Sequence, residues 1–226
     1  MIAQNTQRLR KDKSAFTIKD HPVLRDDEAC YASSSYAVEL AKKHNSQLHV
    51  LHITTAKELA LFEAGSIENK NITAEACVHH LWFSNEDYAE RGNQIKCNPA
   101  VKYPSDREAI LKALSTGQID IIATDHAPHT WEEKQVPYEQ APAGLPLVQH
   151  ALLSLFDHVA RRRMTMEQVV QKTAHNPAIR YGIERRGFIR EGYFADLVLA
   201  DTNTPTLVTN ENCCLLYTSD AADDGV

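Results

Sequence analysis

Between Ile119 and His129 the chain reads Ile-Asp-Ile-Ile-Ala-Thr-Asp-His-Ala-Pro-His, an apolar, β-branched run ending in a carboxylate, two histidines and a proline. A buried parallel strand that delivers polar groups at its C-terminal end has this form. Asp125 can ligate a metal, act as a base, or do both, and the histidines can hold a metal or an anionic substrate. Two earlier strand-like runs end in the same way: Leu48–Ile53 carries His52, and Ile72–His79 leads to His79-His80. Each residue alone has a plainer use. A strand-ending histidine is more often bonded to backbone, and an aspartate more often caps a turn. Together, two imidazoles and a carboxylate at three strand ends make a divalent-metal set, for which zinc is the natural ion. Zinc lowers the pKa of its water toward neutrality, and an adjacent Asp125 could take the proton.

The elements that must position these groups alternate. Glu28 to His44 reads as a helix, with Ala32, Tyr36, Ala37, Leu40 and Ala41 at helical spacing. Strand Leu48–Ile53 follows, then a helix over Ala56–Ala64 preceded by Thr54-Thr55. After strand Ile72–His79 comes a short third strand or strand end, Ile95–Pro99, and a helix over Asp106–Ser115 stopped by Thr116-Gly117. Strand Ile119–Thr124 and helices over Leu147–Ala160 and Thr165–Thr173 complete the pattern. Strands alternating with helices imply βα units on a parallel sheet. With 8 glycines and no Gly-rich phosphate turn, a (β/α)8 barrel is favoured over a doubly wound sheet, but four strands make only half of one. Arg186–Asp201 changes character, with Gly187 and Gly192 around short apolar runs, and reads as a small β-module.

A net charge of −6 and no basic stripe argue against a nucleic-acid partner. No apolar run is long enough to span a membrane, and Met1-Ile2-Ala3-Gln4-Asn5 does not read as a signal peptide. The 5 cysteines lack paired spacing, which points to reduced thiols and a cytoplasmic setting. Cys77 and Cys97 read as buried small residues in preference to ligands. The expected partner is a small molecule.

The runs Leu51-His52-Ile53-Thr54-Thr55, Glu75-Ala76-Cys77-Val78-His79-His80-Leu81 and Ala123-Thr124-Asp125-His126-Ala127-Pro128-His129 resemble the dihydroorotases, cyclic amidases of the amidohydrolase superfamily. The likeness continues through Cys97-Asn98-Pro99, His175-Asn176-Pro177-Ala178 and Gly192–Val198. It implies a (β/α)8 barrel with a composite β-module and a zinc site of one or two ions. The implied reaction is reversible hydrolysis of dihydroorotate to N-carbamoyl-L-aspartate in pyrimidine synthesis. Carried over, His52 and His79 would bind the more buried metal, and His79 is chosen over His80. Asp125 would ligate the other metal and shuttle the proton. Asn98 and His129 would hold the substrate, with the backbone of Ala143-Gly144-Leu145 closing over its ring. His126 would be structural or would support a ligating residue. The alternatives are an allantoinase- or hydantoinase-type amidase, and a metal-free partner that scaffolds aspartate transcarbamoylase. Homo-oligomers also fit the resemblance.

Some parts of the implied pattern are missing. No His-x-His occurs, and no segment supplies the bridging Lys or Asp, so the chain is expected to begin mid-barrel. Residues 1–180 are then a partial barrel and 181–212 part of the β-module. Residues 213–226 resemble the translation of a sequencing adapter and are expected to be non-native. A fragment of this kind is expected to lack turnover by itself.

Overall fold

The structure, a computed structural model, describes residues 1–209. Its sheet consists of β1 (Leu48–Val50), β2 (Ile72–Cys77) and β3 (Ile121–Ala123), parallel and in that order. Leu48 lies opposite Ile72, and Glu75 opposite Ile121. Helix α1 (Ile2–Arg10) is tied to the rest of the chain by Asn5, whose Nδ2 donates to Asp26 Oδ2 at 2.8 Å. α2 (Asp27–Lys43) begins at Asp26, whose carboxylate accepts from Ala29 N. Asp27 and Glu28 in its first turn, and Lys42 and Lys43 in its last, complement the helix dipole.

Alternation divides the sheet into two faces. Ala74, Ala76 and Ile122 pack with Val38 of α2 and with Ile110 and Leu114 of α4 (Pro104–Thr116), forming the main apolar core. Before α4, Val78–Trp82 forms the short helix α3. α4 starts with Pro104 and stops at Gly117, whose φ of 75° is the left-handed conformation of a helix stop. The opposite face is polar: His49 bonds Thr73 Oγ1 at 2.8 Å and Glu75 Oε2 at 3.0 Å, with Tyr181 edge-on at 5.8 Å.

At the lower end of the sheet a polar network sets register. Asp120 N donates to Ala74 O at 2.8 Å, and Asp120 Oδ2 accepts from Ala74 N at 3.0 Å. Lys70 Nζ meets Asp120 Oδ1 at 2.8 Å, and both side chains are buried. After α5 (Trp131–Lys134) and α6 (Ala151–Ala160), α7 (Met166–Val170) runs through a π-helical turn, Gln171–His175, into α8 (Asn176–Arg180). From this run Lys172 Nζ donates to Ile119 O at 2.7 Å and Asn176 Nδ2 to Asp120 O at 2.6 Å.

Several expectations need correction. Ile95–Pro99 is not a strand: β2 pairs β3 directly, and Gly92–Ile95 is a 3-10 turn. The carbonyls of Lys96 and Cys97 are taken by Lys134, Gly144 and His21, which leaves no ladder to form. β2 ends at Cys77, so His79 and His80 stand in α3. The helix expected over Ala56–Ala64 is a 3-10 turn, Lys57–Leu61, held by Thr55 and Glu58. α6 begins at Ala151 and not at Leu147, because Leu147 N and Val148 N both donate to His126 Nδ1. The described part of the 181–212 segment holds turns and no strand. Its apolar residues Ile189, Val198 and Leu199 are exposed, and a strand without a partner leaves its backbone unpaired. Phe188 does pack, stacking on His175 at 4.3 Å.

Burial lowers the pKa of Lys172 to about 8 from its usual 10.5. Between those values the unfolded chain binds more protons than the folded one, so this group's contribution to stability rises with pH. Denaturant unfolding of wild type and Lys172→Met at pH 8 and pH 10 should therefore show wild type gaining on the variant as pH rises. An unchanged difference would contradict the assignment.

Candidate metal centre

The three sequence-predicted ligands leave the same end of the sheet. His52 lies two residues beyond β1 and Asp125 two beyond β3, with φ of 41° and 46°. Non-glycine residues rarely adopt this left-handed conformation, and each costs on the order of 1 kcal/mol. The chain turns sharply at both points. His79 reaches the same region from the first turn of α3, directly after Cys77 closes β2.

His79 is 1% exposed, and neither ring nitrogen has a hydrogen-bond partner. Burial and the neighbouring His52 push its pKa down to about 3, so at neutral pH it is uncharged and offers a lone pair. Leaving a buried polar atom unpaired costs about 1–3 kcal/mol, and a metal ion would satisfy it. The residues present therefore fit a metal. His80 is also buried and held neutral by burial and His79, but its Nε2 meets Pro99 O at 3.1 Å. Cys77, His79 and His80 place ligand atoms within 4.8 Å of one another. Asp125 lies near enough to Cys77 and Cys97 to raise their thiol pKa values, although burial is the larger cause for both.

The substrate-side residues divide into two groups. Gly144 N donates to Lys96 O at 2.9 Å, and Leu145 O accepts from Ala127 N at 3.1 Å. Ala143-Gly144-Leu145 thus lies between the segment carrying Asn98 and the segment following Asp125. Asn98 itself is exposed. Lys134 Nζ fastens the arrangement by donating to Lys96 O at 3.1 Å and Pro142 O at 3.0 Å. His21 joins Cys97 O at 2.7 Å and the Tyr138 hydroxyl at 2.9 Å. His129 instead pairs with Glu133 of α5 at 3.4 Å. His126 has the structural use expected of it, accepting the two backbone N–H groups ahead of α6.

Sequence reasoning missed the grouping of Cys77 and His80 with His79, as well as Lys134 and His21. For Cys77 no local pattern gave it away, because β2 ends there and His79 already stands in α3. The roles of Lys134 and His21 depend on partners far away in sequence, and no local signal marks them.

Parallel strands with helices packed on one face, and with His52, His79 and Asp125 leaving the same end, have the form of part of a (β/α) barrel. The profile of the amidohydrolase family matches residues 25–222, and the chain belongs to that family. Among curated relatives, dihydroorotase of Halobacterium salinarum is 38% identical over 177 residues, which are 78% of this chain and 41% of the relative. Dihydroorotase of Methanosphaera stadtmanae is 33% identical over 211 residues, 89% of this chain and 48% of that protein. The chain thus spans less than half the length of these relatives. Among solved structures, dihydropyrimidinase from Brevibacillus agri superposes with a TM-score of 0.75 at 19% identity, over 86% of this chain and 44% of its own. Dihydroorotase from Saccharomyces cerevisiae, solved with 5-fluoroorotic acid, gives 0.61 at 20% identity, over 68% and 43%. At these identities the superpositions speak for the fold.

Two outcomes are expected. Calorimetric titration of the chain with zinc should show His79→Asn weakening binding at least ~10-fold, and equal affinity would remove His79 from the centre. Gly144→Ala should destabilise the chain by about 1–3 kcal/mol in denaturant unfolding. There φ is 146°, and an added Cβ would meet Ala127 O at 2.4 Å. Unchanged stability would show that the loop is not packed there.

Proposed function

We propose that this chain is part of a dihydroorotase that hydrolyses and re-forms the ring amide of dihydroorotate. The observation that carries this reading is the buried His79 imidazole, with two unpartnered nitrogens, next to His52 and on the same sheet end as Asp125. The names of the relatives at 33–38% identity support it. Hydantoinase-type structures resemble the chain only at the level of fold.

Metal dependence is general in this family. In the proposed site His52, His79 and Asp125 would hold zinc, one or two ions in a complete site, which would polarise the amide carbonyl and acidify water. Asp125 takes the proton of the attacking water and returns it to the ring nitrogen as the C–N bond breaks. Asn98 and the backbone of Ala143 and Gly144 hold the ring, and the strap from Lys134 keeps them in place. His129 binds a polar edge of the substrate, exchanging its contact with Glu133 for the ligand. We assign residues 1–180 to the barrel and 181–212, whose described part holds turns and no strand, to a segment beside it. No helix among the described residues is long and apolar enough to cross a membrane. A cytoplasmic location and assembly, as homo-oligomers or with aspartate transcarbamoylase, follow from the reading as proposals.

The test is a chimera in which this chain replaces the aligned segment of the Halobacterium salinarum relative. Hydrolysis of dihydroorotate in preference to hydantoin or dihydrouracil is expected, and Asp125→Asn should lower kcat by at least ~100-fold with zinc partly retained. Preference for another cyclic amide would transfer the reading to that substrate. Full activity in Asp125→Asn would exclude Asp125 as the proton shuttle.

A further inference from the structure

One group in the site is not used by the proposed reaction. Cys77 closes β2, has no exposed surface, and carries a free thiol. Its Sγ, one nitrogen of His79 and one of His80 lie within 4.8 Å of one another, and all three residues are buried. Backbone geometry brings them together. Cys77 ends β2, and the first turn of α3 holds His79 and His80 side by side, with ring centroids 3.9 Å apart.

The hydrogen bonds leave the cluster ready for a ligand. His80 Nε2 donates to Pro99 O at 3.1 Å, so that nitrogen carries the proton and the unpartnered Nδ1 keeps its lone pair. This is the arrangement of a metal-binding histidine, whose far N–H is held by a carbonyl. His79 has two unpartnered nitrogens. Cys97 is close to His80 Nε2, at 3.7 Å, but its thiol donates to Pro99 O at 3.2 Å. A cavity of about 790 Å³ lined by Trp82, Leu147 and Phe156 touches the cluster at His79 alone.

We propose that Cys77, His79 and His80 form a second metal position, a sulfur-containing site for thiophilic divalent ions, adjoining the His52, His79 and Asp125 set. One thiolate and two imidazoles are softer than the oxygen- and nitrogen-only set beside them, and they select for softer ions. Binding replaces the S–H bond of Cys77 with an S–metal bond and releases one proton to solvent, with no change in oxidation state. The site shares His79 with the hydrolytic centre proposed above, so an ion held there withdraws that ligand and inhibits. The ligand set itself does not depend on which substrate, if any, the chain turns over.

The probe is cadmium, added to the metal-stripped 226-residue chain with Cys213 and Cys214 replaced by serine. Those two adjacent thiols lie outside the described residues and would bind the same ion. The expected result is a sulfur-to-cadmium charge-transfer band in the ultraviolet at one equivalent, with one proton released. Cys77→Ser should remove the band and weaken binding ~100-fold, and His80→Gln should weaken it at least ~10-fold. Cys30→Ser, Cys97→Ser and His52→Asn should all keep the band. Loss in His52→Asn would place the ion in the hydrolytic centre and overturn the proposal. A band that survives Cys77→Ser, or no band in the double-serine chain, would also overturn it. Cadmium NMR of the double-serine chain gives an answer even if Cys77→Ser does not fold. A shift typical of one sulfur with nitrogen donors supports the site, and a shift typical of oxygen and nitrogen alone refutes it. Zinc-dependent hydrolysis by the chimera, with the band absent from the double-serine chain, would leave the hydrolase reading standing and the cluster refuted.

Discussion

Asp120 fixes the height of everything above it. Its backbone N–H and one carboxylate oxygen both engage the peptide of Ala74, while its other oxygen faces the buried ammonium of Lys70. This two-way link sets Glu75 against Ile121 and Cys77 against Ala123. β2 and β3 consequently end level with each other, and His79 and Asp125 leave the sheet at one end. A one-residue slip would turn each strand's side chains to the opposite face. Removing one partner from a buried charged pair costs roughly 3–5 kcal/mol, and here it would also release the register. Lys172 and Asn176, reaching the carbonyls on either side, brace the same point. The lower end of the sheet is therefore built for rigidity and the upper end for chemistry.

At that upper end dryness is the main electrostatic agent. Burial is the largest cause of the depressed pKa values of His79 and His80 and of the raised thiol pKa values of Cys77 and Cys97. Desolvation favours the neutral form of each, so the cluster consists of uncharged donors waiting for a cation. Such groups are costly when unpaired, and this is why the orphaned nitrogens of His79 are informative. The loop opposite is fastened differently. Lys96 and Lys134, both buried, donate to carbonyls alone, so cations held by backbone dipoles anchor the strap containing Gly144.

The elements with local signals were legible in the sequence. α2 and α4 lie within two residues of their expected bounds, because helical apolar spacing marks the first and Thr116-Gly117 stops the second. β2 and β3 stand where β-branched or small apolar runs place them. That the segments after β1, β2 and β3 leave one end of a parallel sheet was also readable from strand ends. What was hidden depends on distant partners. Nothing near Ile95–Pro99 reveals that Lys134, Gly144 and His21 take its carbonyls. The left-handed turns at His52 and Asp125 are announced only weakly, since histidine and aspartate are enriched in that conformation without requiring it. Cys77 looked like an ordinary buried cysteine, since thiols are common in cores. Only the turn into α3 gives it two imidazole neighbours.

The central claim is that strand ends and the start of α3 present His52 and His79 to one metal ion, with Asp125 beside them. Anomalous diffraction at the zinc edge, from crystals of the chain grown with zinc, tests it most directly. The account predicts a peak at bonding distance, about 2.0–2.1 Å, from one nitrogen of each histidine and within reach of the Asp125 carboxylate. A peak bound elsewhere, or His79 nitrogens still unpartnered at saturating zinc, would contradict it.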